Sequence, residues 1–169
     1  MLSNHREQAI KSVSCAVVTI SDTRVKETDG SGKKIIELLQ REGHQVQFYK
    51  IVRDEKEEIK LTLQKLLHHS LIQVIIFNGG TGLSNRDVTI ESIEPYFDKE
   101  LPGFGELFRN LSYKFDIGTA SILSRATAGI GNNRAIFSIP GSTGAVTLAM
   151  ERIILPELGH IVMEINKDL

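Results

Sequence analysis

Val74-Ile75-Ile76-Phe77-Asn78-Gly79-Gly80-Thr81-Gly82-Leu83-Ser84-Asn85-Arg86-Asp87-Val88-Thr89 reads as an apolar strand, a glycine loop and the start of a helix. A short continuous apolar run ending in glycines fits a strand covered on both faces, the kind found in parallel sheets. The loop supplies bare backbone amides, the Thr81 hydroxyl, the Arg86 guanidinium and the Asp87 carboxylate. These are the parts of a phosphate site that also holds a divalent cation. Thr89 stands where an N-cap belongs, which would turn helix amides and a positive dipole end toward the loop.

The flanking chain alternates in the same way. Residues 14–20 form an apolar strand, and Gly30-Ser31-Gly32 opens a helix with a stripe of Ile35, Ile36, Leu38 and Leu39, stopped by Gly43. Val46 to Val52 reads as a second strand, and residues 73–77 as the third. Between them Asp54 reads as the N-cap of a helix with Ile59, Leu63, Leu66 and Leu67 on one face. The helix at Thr89 is expected to run to Phe97. Leu101-Pro102-Gly103-Phe104-Gly105 reads as a turn before a helix ending near Phe115. Ala126–Ile130 and Arg134–Ile139 flank Gly131-Asn132-Asn133 as a hairpin, and Pro140-Gly141-Ser142 leads into a last helical region interrupted near Pro156.

Strands alternating with helices predict an α/β fold: a mostly parallel sheet with helices on both sides and an antiparallel edge strand from the hairpin. In such sheets ligands bind beyond the carboxyl ends of the strands. The glycine loop, Asp54 and Ser21-Asp22-Thr23 each follow a strand, so they are expected to meet on one rim.

At 169 residues the chain is expected to be one domain, 1–169. Twenty basic against 21 acidic residues, net −1, argue against non-specific binding of nucleic acid or of an anionic membrane. The only cysteine, Cys15, lies in the first strand and reads as an inert core residue. Met1–Arg6 lacks an apolar signal core and no apolar run approaches ~20 residues, so a cytoplasmic location is expected.

Neither common nucleotide motif is present. Asn85 takes the third glycine position of a dinucleotide fingerprint, and Lys34 stands where a Walker loop has Ser or Thr. His68-His69 are adjacent and do not share a helix face, which argues against a paired metal site.

Thr19-Ile20-Ser21-Asp22-Thr23, the glycine loop through Arg86-Asp87-Val88-Thr89, Leu123-Ser124-Arg125 and Pro140-Gly141 occur together in one order. With that order, from about Val13 to Ile165, the chain resembles the MogA/MoaB molybdenum-cofactor biosynthesis family. Arg53-Asp54-Glu55, Pro140-Gly141-Ser142-Thr143 and Leu101-Pro102-Gly103-Phe104-Gly105-Glu106 look closest to its MoaB branch.

The resemblance implies a three-layer α/β/α molybdopterin-binding fold, assembled as a homotrimer or homohexamer. It implies binding of molybdopterin and Mg-ATP-dependent adenylylation of its terminal phosphate, with release of pyrophosphate. The alternative is a non-catalytic protein that binds molybdopterin or its precursor. A transient contact with the molybdate-insertion protein would follow from the same pathway. Asp54 and Asp87 fall on the family's two carboxylates, expected to hold Mg²⁺ directly or through water. Gly79, Gly80, Thr81, Gly82, Arg86 and Thr89 would bind phosphate, with Ser21, Asp22 and Thr23 as walls. Ser112, Ser124 and Arg125 would hold the pterin and its phosphate, and Pro140, Gly141 and Ser142 would add a further strand end. The residues themselves leave simpler readings open: Asp54 as a cap, Asp87 as a local turn acceptor, Ser112 bonded to its own helix, and Pro140-Gly141 as a plain turn.

Overall fold

The computed structural model describes residues 9–169; the Met1–Arg6 stretch lies outside them. Six strands form one sheet in the order β2-β1-β3-β6-β5-β4: β1 (Ser14–Ile20), β2 (Gln45–Val52), β3 (Val74–Asn78), β4 (Lys99–Glu100), β5 (Thr127–Gly131) and β6 (Arg134–Ile139). The first three strands and β6 run parallel, while β5 is antiparallel to both of its neighbours.

The expected architecture is therefore found, with one correction. The antiparallel strand of the hairpin is not the edge, because β4 covers it. Lys99 and Glu100 carry no strand pattern of their own and extend only because β5 offers them an open ladder.

Helices α1 (Gly30–Arg41), α2 (Lys56–Leu67), α3 (Thr89–Ile93), α4 (Pro102–Phe115), α5 (Thr143–Ala149) and α6 (Leu155–Asn166) cover both faces. Alternate residues of β1 explain the layers. Cys15 and Val17 join the core under α1, α4, α5 and α6, whereas Ala16, Val18 and Ile20 join the core under α2 and α3. Burial pushes the Cys15 thiol up to about 12, which makes it the inert core group expected.

Three local expectations change. Pro102 sits in the first turn of α4, so Leu101–Gly105 begins a helix rather than a turn. The helix at Thr89 tightens into a 3₁₀ turn at Glu94–Tyr96, where Pro95 has no N–H to give the ladder. Between α5 and α6 the chain widens into a π turn, Met150–Ile154, just ahead of Pro156, so the interruption is a bulge in a continuous run. Within the C-terminal apolar stretch Ile154, Leu158 and Val162 are core, with Ile153, Leu155 and Ile161 packed against them. Among the described residues no helix is long and apolar enough to cross a membrane.

Register brings the functional loops level. Ile20 pairs with Val52, Thr19 with Asn78, and Asn78 with Ile139, so four parallel strands end together. Between β1 and β3 the direction of winding reverses, since α1 packs on one face and α2 on the other. That switch point opens a crevice on the carboxyl rim.

A two-aspartate rim around the glycine loop

Gly79 and Gly80 form the turn that lines the crevice, with φ of +100° and +65°. A side chain at Gly79 would collide with the Ile20 carbonyl, and one at Gly80 with Thr89 Oγ1. Thr89 is not the cap of α3; Val88 holds that position without a side-chain bond. Instead Thr89 is buried, its hydroxyl donating to the Gly79 carbonyl at 3.0 Å and its amide to Gly80 at 3.1 Å. It staples the loop. A helix of five residues adds little dipole to the site.

The loop brings the two aspartates together. Asp54 Oδ1 lies 2.7 Å from where a Gly80 Cβ would sit, and Asp87 Oδ2 is 2.7 Å from the equivalent point at Gly82. Asp54 does not cap α2, because Glu55 takes the cap position and makes no side-chain bond there. Its Oδ1 is buried without a hydrogen-bond partner. Burial, followed by the charges of Asp22 and Asp87, pushes the Asp54 carboxyl up to about 6. Asp87 does make the local turn bond, accepting from the Ser84 hydroxyl at 2.6 Å on Oδ2.

A buried, unpartnered carboxylate oxygen beside two other acids fits a bound cation. Among the described residues no three His, Cys, Asp or Glu side chains form a metal cage. A pair of carboxylates is nevertheless what magnesium commonly takes from a protein, with substrate phosphates and water completing its shell. The donor set thus fits Mg²⁺ held by Asp54 and Asp87.

Arg86 is held by two acids of the rim. Its guanidinium grips Asp22 at 2.7 and 3.0 Å and Glu55 at 2.8 Å, so it is engaged by acids rather than free for phosphate. This bond, ahead of the Asp54 amide that also donates to Asp22 at 3.1 Å, holds the Asp22 carboxyl low. Asp22 is therefore a tie between loops and not a bare wall. Ser21 is used locally, accepting the amides of Thr23 and Arg24, while Thr23 lies exposed in that turn.

Arg125 also acts on the loop. It donates to the carbonyls of Thr81 (3.1 Å), Gly82 (2.7 Å) and Asp87 (3.3 Å) and pairs with Glu91. Ser124 precedes it, its hydroxyl accepting the Ala126 amide at the long distance of 3.5 Å. Pro140-Gly141-Ser142 reaches the rim: Ser142 caps α5 through the Ala145 amide, and a Gly141 Cβ would lie 3.2 Å from Gly79 Cα. Ser112 is buried within α4, where its carbonyl closes the helix on the amides of Asp116 and Ile117.

Beside Asp54 a recess of about 320 Å³ opens between Glu55, Lys56, Asn85, Arg86 and Val88. A larger hollow of about 620 Å³ on the α2 flank carries a single acid, Glu58, and no glycine loop.

Beneath the crevice lies a polar network around Asp29, a residue outside the quoted motifs. Asp29 is fully buried and caps α1 by accepting the Gly32 amide at 3.0 Å. Burial alone would raise its carboxyl, but the hydroxyls of Thr19 and Tyr49, both at 2.6 Å, and the Gly32 amide hold it low. The one cue in the sequence was an acid immediately before Gly30-Ser31-Gly32, an N-cap signature.

Residues 16–160 match the family described as "Probable molybdopterin binding domain". Molybdenum cofactor biosynthesis protein B of Halalkalibacterium halodurans is 55% identical over 167 residues, 99% of this chain and 98% of that protein. The Bacillus subtilis protein of that name is 52% identical with the same coverage. A crystal structure of a molybdenum cofactor biosynthesis protein B superposes with a TM-score of 0.91 at 52% identity, covering 95% of this chain and 99% of that one. The tungsten cofactor synthesizing protein MoaB from Pyrococcus furiosus gives 0.82 at 46%, over 92% and 98%. With a domain match across most of its length and half its residues shared with these relatives, this chain belongs to the molybdopterin-binding domain family, beside the molybdenum cofactor biosynthesis B proteins.

Proposed function

We propose that this protein serves molybdenum cofactor biosynthesis by binding molybdopterin and adenylylating its terminal phosphate with Mg-ATP. The names of its relatives support the pathway. The observation that carries the chemistry is the unpartnered, buried Asp54 Oδ1 packed against the glycine loop with Asp87 on the same loop.

In the step, an oxygen of the molybdopterin phosphate bonds to the α-phosphorus of ATP. The bond from that phosphorus to the bridging oxygen breaks, and pyrophosphate leaves with the electron pair. The acceptor is already ionised near neutral pH, so no general base is needed; charge repulsion and alignment set the barrier. Bound magnesium would supply charge neutralisation at the phosphate oxygens. Asp54 and Asp87 would hold it, while the glycine-loop amides and Thr81 cradle a phosphate. Arg125 keeps that loop in shape through three of its carbonyls. Arg86 would reach a phosphate only by leaving Asp22 and Glu55.

The last point favours a second reading, a protein that binds the pterin without turnover. Incubation with molybdopterin and Mg-ATP separates the two. Adenylylated product and pyrophosphate support the enzyme; tight pterin binding without product, where a competent adenylyltransferase succeeds, supports the binder.

The same reading carries a homotrimer or homohexamer. Leu107, Tyr113, Phe115, Ile117, Ile122 and Leu123 are exposed around the end of α4, Ile122 to 83%. So much apolar surface in one region suits an interface. A mass measurement in solution tests it: a monomer at micromolar concentration rules the assembly out.

A further inference from the structure

One chain of hydrogen bonds runs from a cation to an anion beneath the crevice, each link donating to the next. Arg24 Nη1 donates to Ser31 Oγ (2.7 Å), Ser31 Oγ to Asn78 Oδ1 (2.8 Å), Asn78 Nδ2 to Thr19 Oγ1 (2.9 Å), and Thr19 Oγ1 to Asp29 Oδ2 (2.6 Å). The ends of the chain approach each other, Arg24 Nη1 lying 3.7 Å from Asp29 Oδ1. Ser31, Asn78, Thr19 and Asp29 are all buried, so the links polarise one another away from water and hold one arrangement.

The other arm of the guanidinium leaves this network. Arg24 Nη2 donates to the Gly141 carbonyl at 3.1 Å, 117 residues away in sequence. Gly141 packs on Gly79, whose amide donates to the Ile139 carbonyl at 3.0 Å. We infer that Arg24 is a positioning residue of the site: the buried network orients its guanidinium, which pins the β6–α5 turn against the first glycine of the phosphate loop. The Arg24 side chain is one-third exposed, yet both of its arms are engaged inward. Its link to catalysis rests on the proposed function, because Gly80 of the same loop is what Asp54 packs against.

The test has two readouts, one of which needs no ligand. In Arg24→Ala, amide exchange at Gly79 should rise about tenfold while exchange in the centres of β1 and β3 is unchanged. KM for molybdopterin should rise by a similar factor with kcat within about threefold, as for lost ground-state positioning. Arg24→Lys, which can reach one of the two acceptors but lacks the fork, should recover only part of both effects. Ser31→Ala cuts the network beside Arg24 without touching the cation, and should speed Gly79 exchange in the same direction. It also serves if Arg24→Ala fails to fold. Unchanged Gly79 exchange in Arg24→Ala, or in Ser31→Ala where that stands in, overturns the inference whatever the kinetics show. If the unaltered protein binds no molybdopterin and makes no product, the proposed function fails, and the exchange result still decides the role of Arg24.

Discussion

Two aspartates at the carboxyl rim of one sheet have opposite surroundings. Asp29, under the amino end of α1, receives the hydroxyls of Thr19 and Tyr49 and an amide, with the Ser31 hydroxyl at 3.3 Å and a cation 3.7 Å away; its carboxyl is held low. Asp54, after β2, turns Oδ1 into a buried position with no donor, and its carboxyl is raised to about 6. A fold gains from the first and is penalised by the second. The saturated acid holds the walls in position, and the unpartnered one is the acid assigned to the metal in the proposed function.

If this contrast is right, the two should fail differently when altered. Asp29→Ala leaves the buried Thr19 hydroxyl, the part-buried Tyr49 hydroxyl and the Gly32 amide without their acceptor, and should cost about 3 kcal/mol of stability. At about 2–4 °C per kcal/mol in a domain of this size, thermal unfolding should move down by roughly 10 °C. A shift under ~2 °C would show that the network is dispensable. Asp54→Asn should do the reverse. It removes a poorly placed charge, so the melting temperature should hold or rise, while single-turnover adenylylation falls at least ~100-fold, about 2.7 kcal/mol of barrier. Full activity in that variant would remove Asp54 from the metal site.

The contrast was only half visible in the sequence. β1, β3, β6 and the glycine loop announce themselves because their signals are local: apolar runs, glycines and a nearby Arg-Asp pair. Lys99–Glu100 was invisible because two polar residues become a strand only when a neighbour supplies the ladder. Leu101–Gly105 looked like a turn because its glycines mask a helix; Gly105 is required there by the Ala126 carbonyl, which lies 2.6 Å from where a Cβ would be. At the site the caps shift by one residue, to Glu55 and Val88, while two arginines take partners distant in sequence. The Arg86 partner Asp22 is 64 residues away and the Arg24 partner Gly141 is 117 residues away, so neither contact is legible locally. Side-chain types suggest a role, but their partners settle it, and partners come from topology.

A smaller effect sharpens the comparison through pH and metal. The folded carboxyl of Asp54, at about 6, lies above its ordinary value near 3.9, so the folded state binds the extra proton between those values. Its stabilising contribution is complete below pH ~3.9 and is lost as pH rises through about 6. The melting curves of the unaltered protein and Asp54→Asn should therefore draw apart between about pH 4 and 6 and stay apart above, with the asparagine form the more stable, and by a modest amount because solvent reaches part of the group. Adding Mg²⁺ at pH 7.5 should raise the melting temperature of the unaltered protein and leave Asp54→Asn unmoved, since binding to the folded state alone stabilises it. An equal magnesium response from both would mean that the ion sits elsewhere.

The smallest expected effect lies at the other end of the sheet and carries the opposite sign of pH dependence. His44 is buried just before β2, and its Nδ1 accepts the Val13 amide at 3.2 Å, which ties the start of β1 to that of β2. That bond requires Nδ1 to be without a proton. Burial lowers the imidazole below its ordinary value near 6.5, against the pull of the Glu42 charge. A lowered histidine gives stability that is present above pH ~6.5 and is lost as pH falls through the folded value. His44→Asn keeps an acceptor near the Nδ1 position and removes the titration. The two proteins should melt together at pH 7.5, and the histidine form should fall behind by pH 5, with faster amide exchange at Val13. Parallel melting curves across that range would show that the ring takes its proton as readily folded as unfolded, and that the Val13 bond does not hold it neutral.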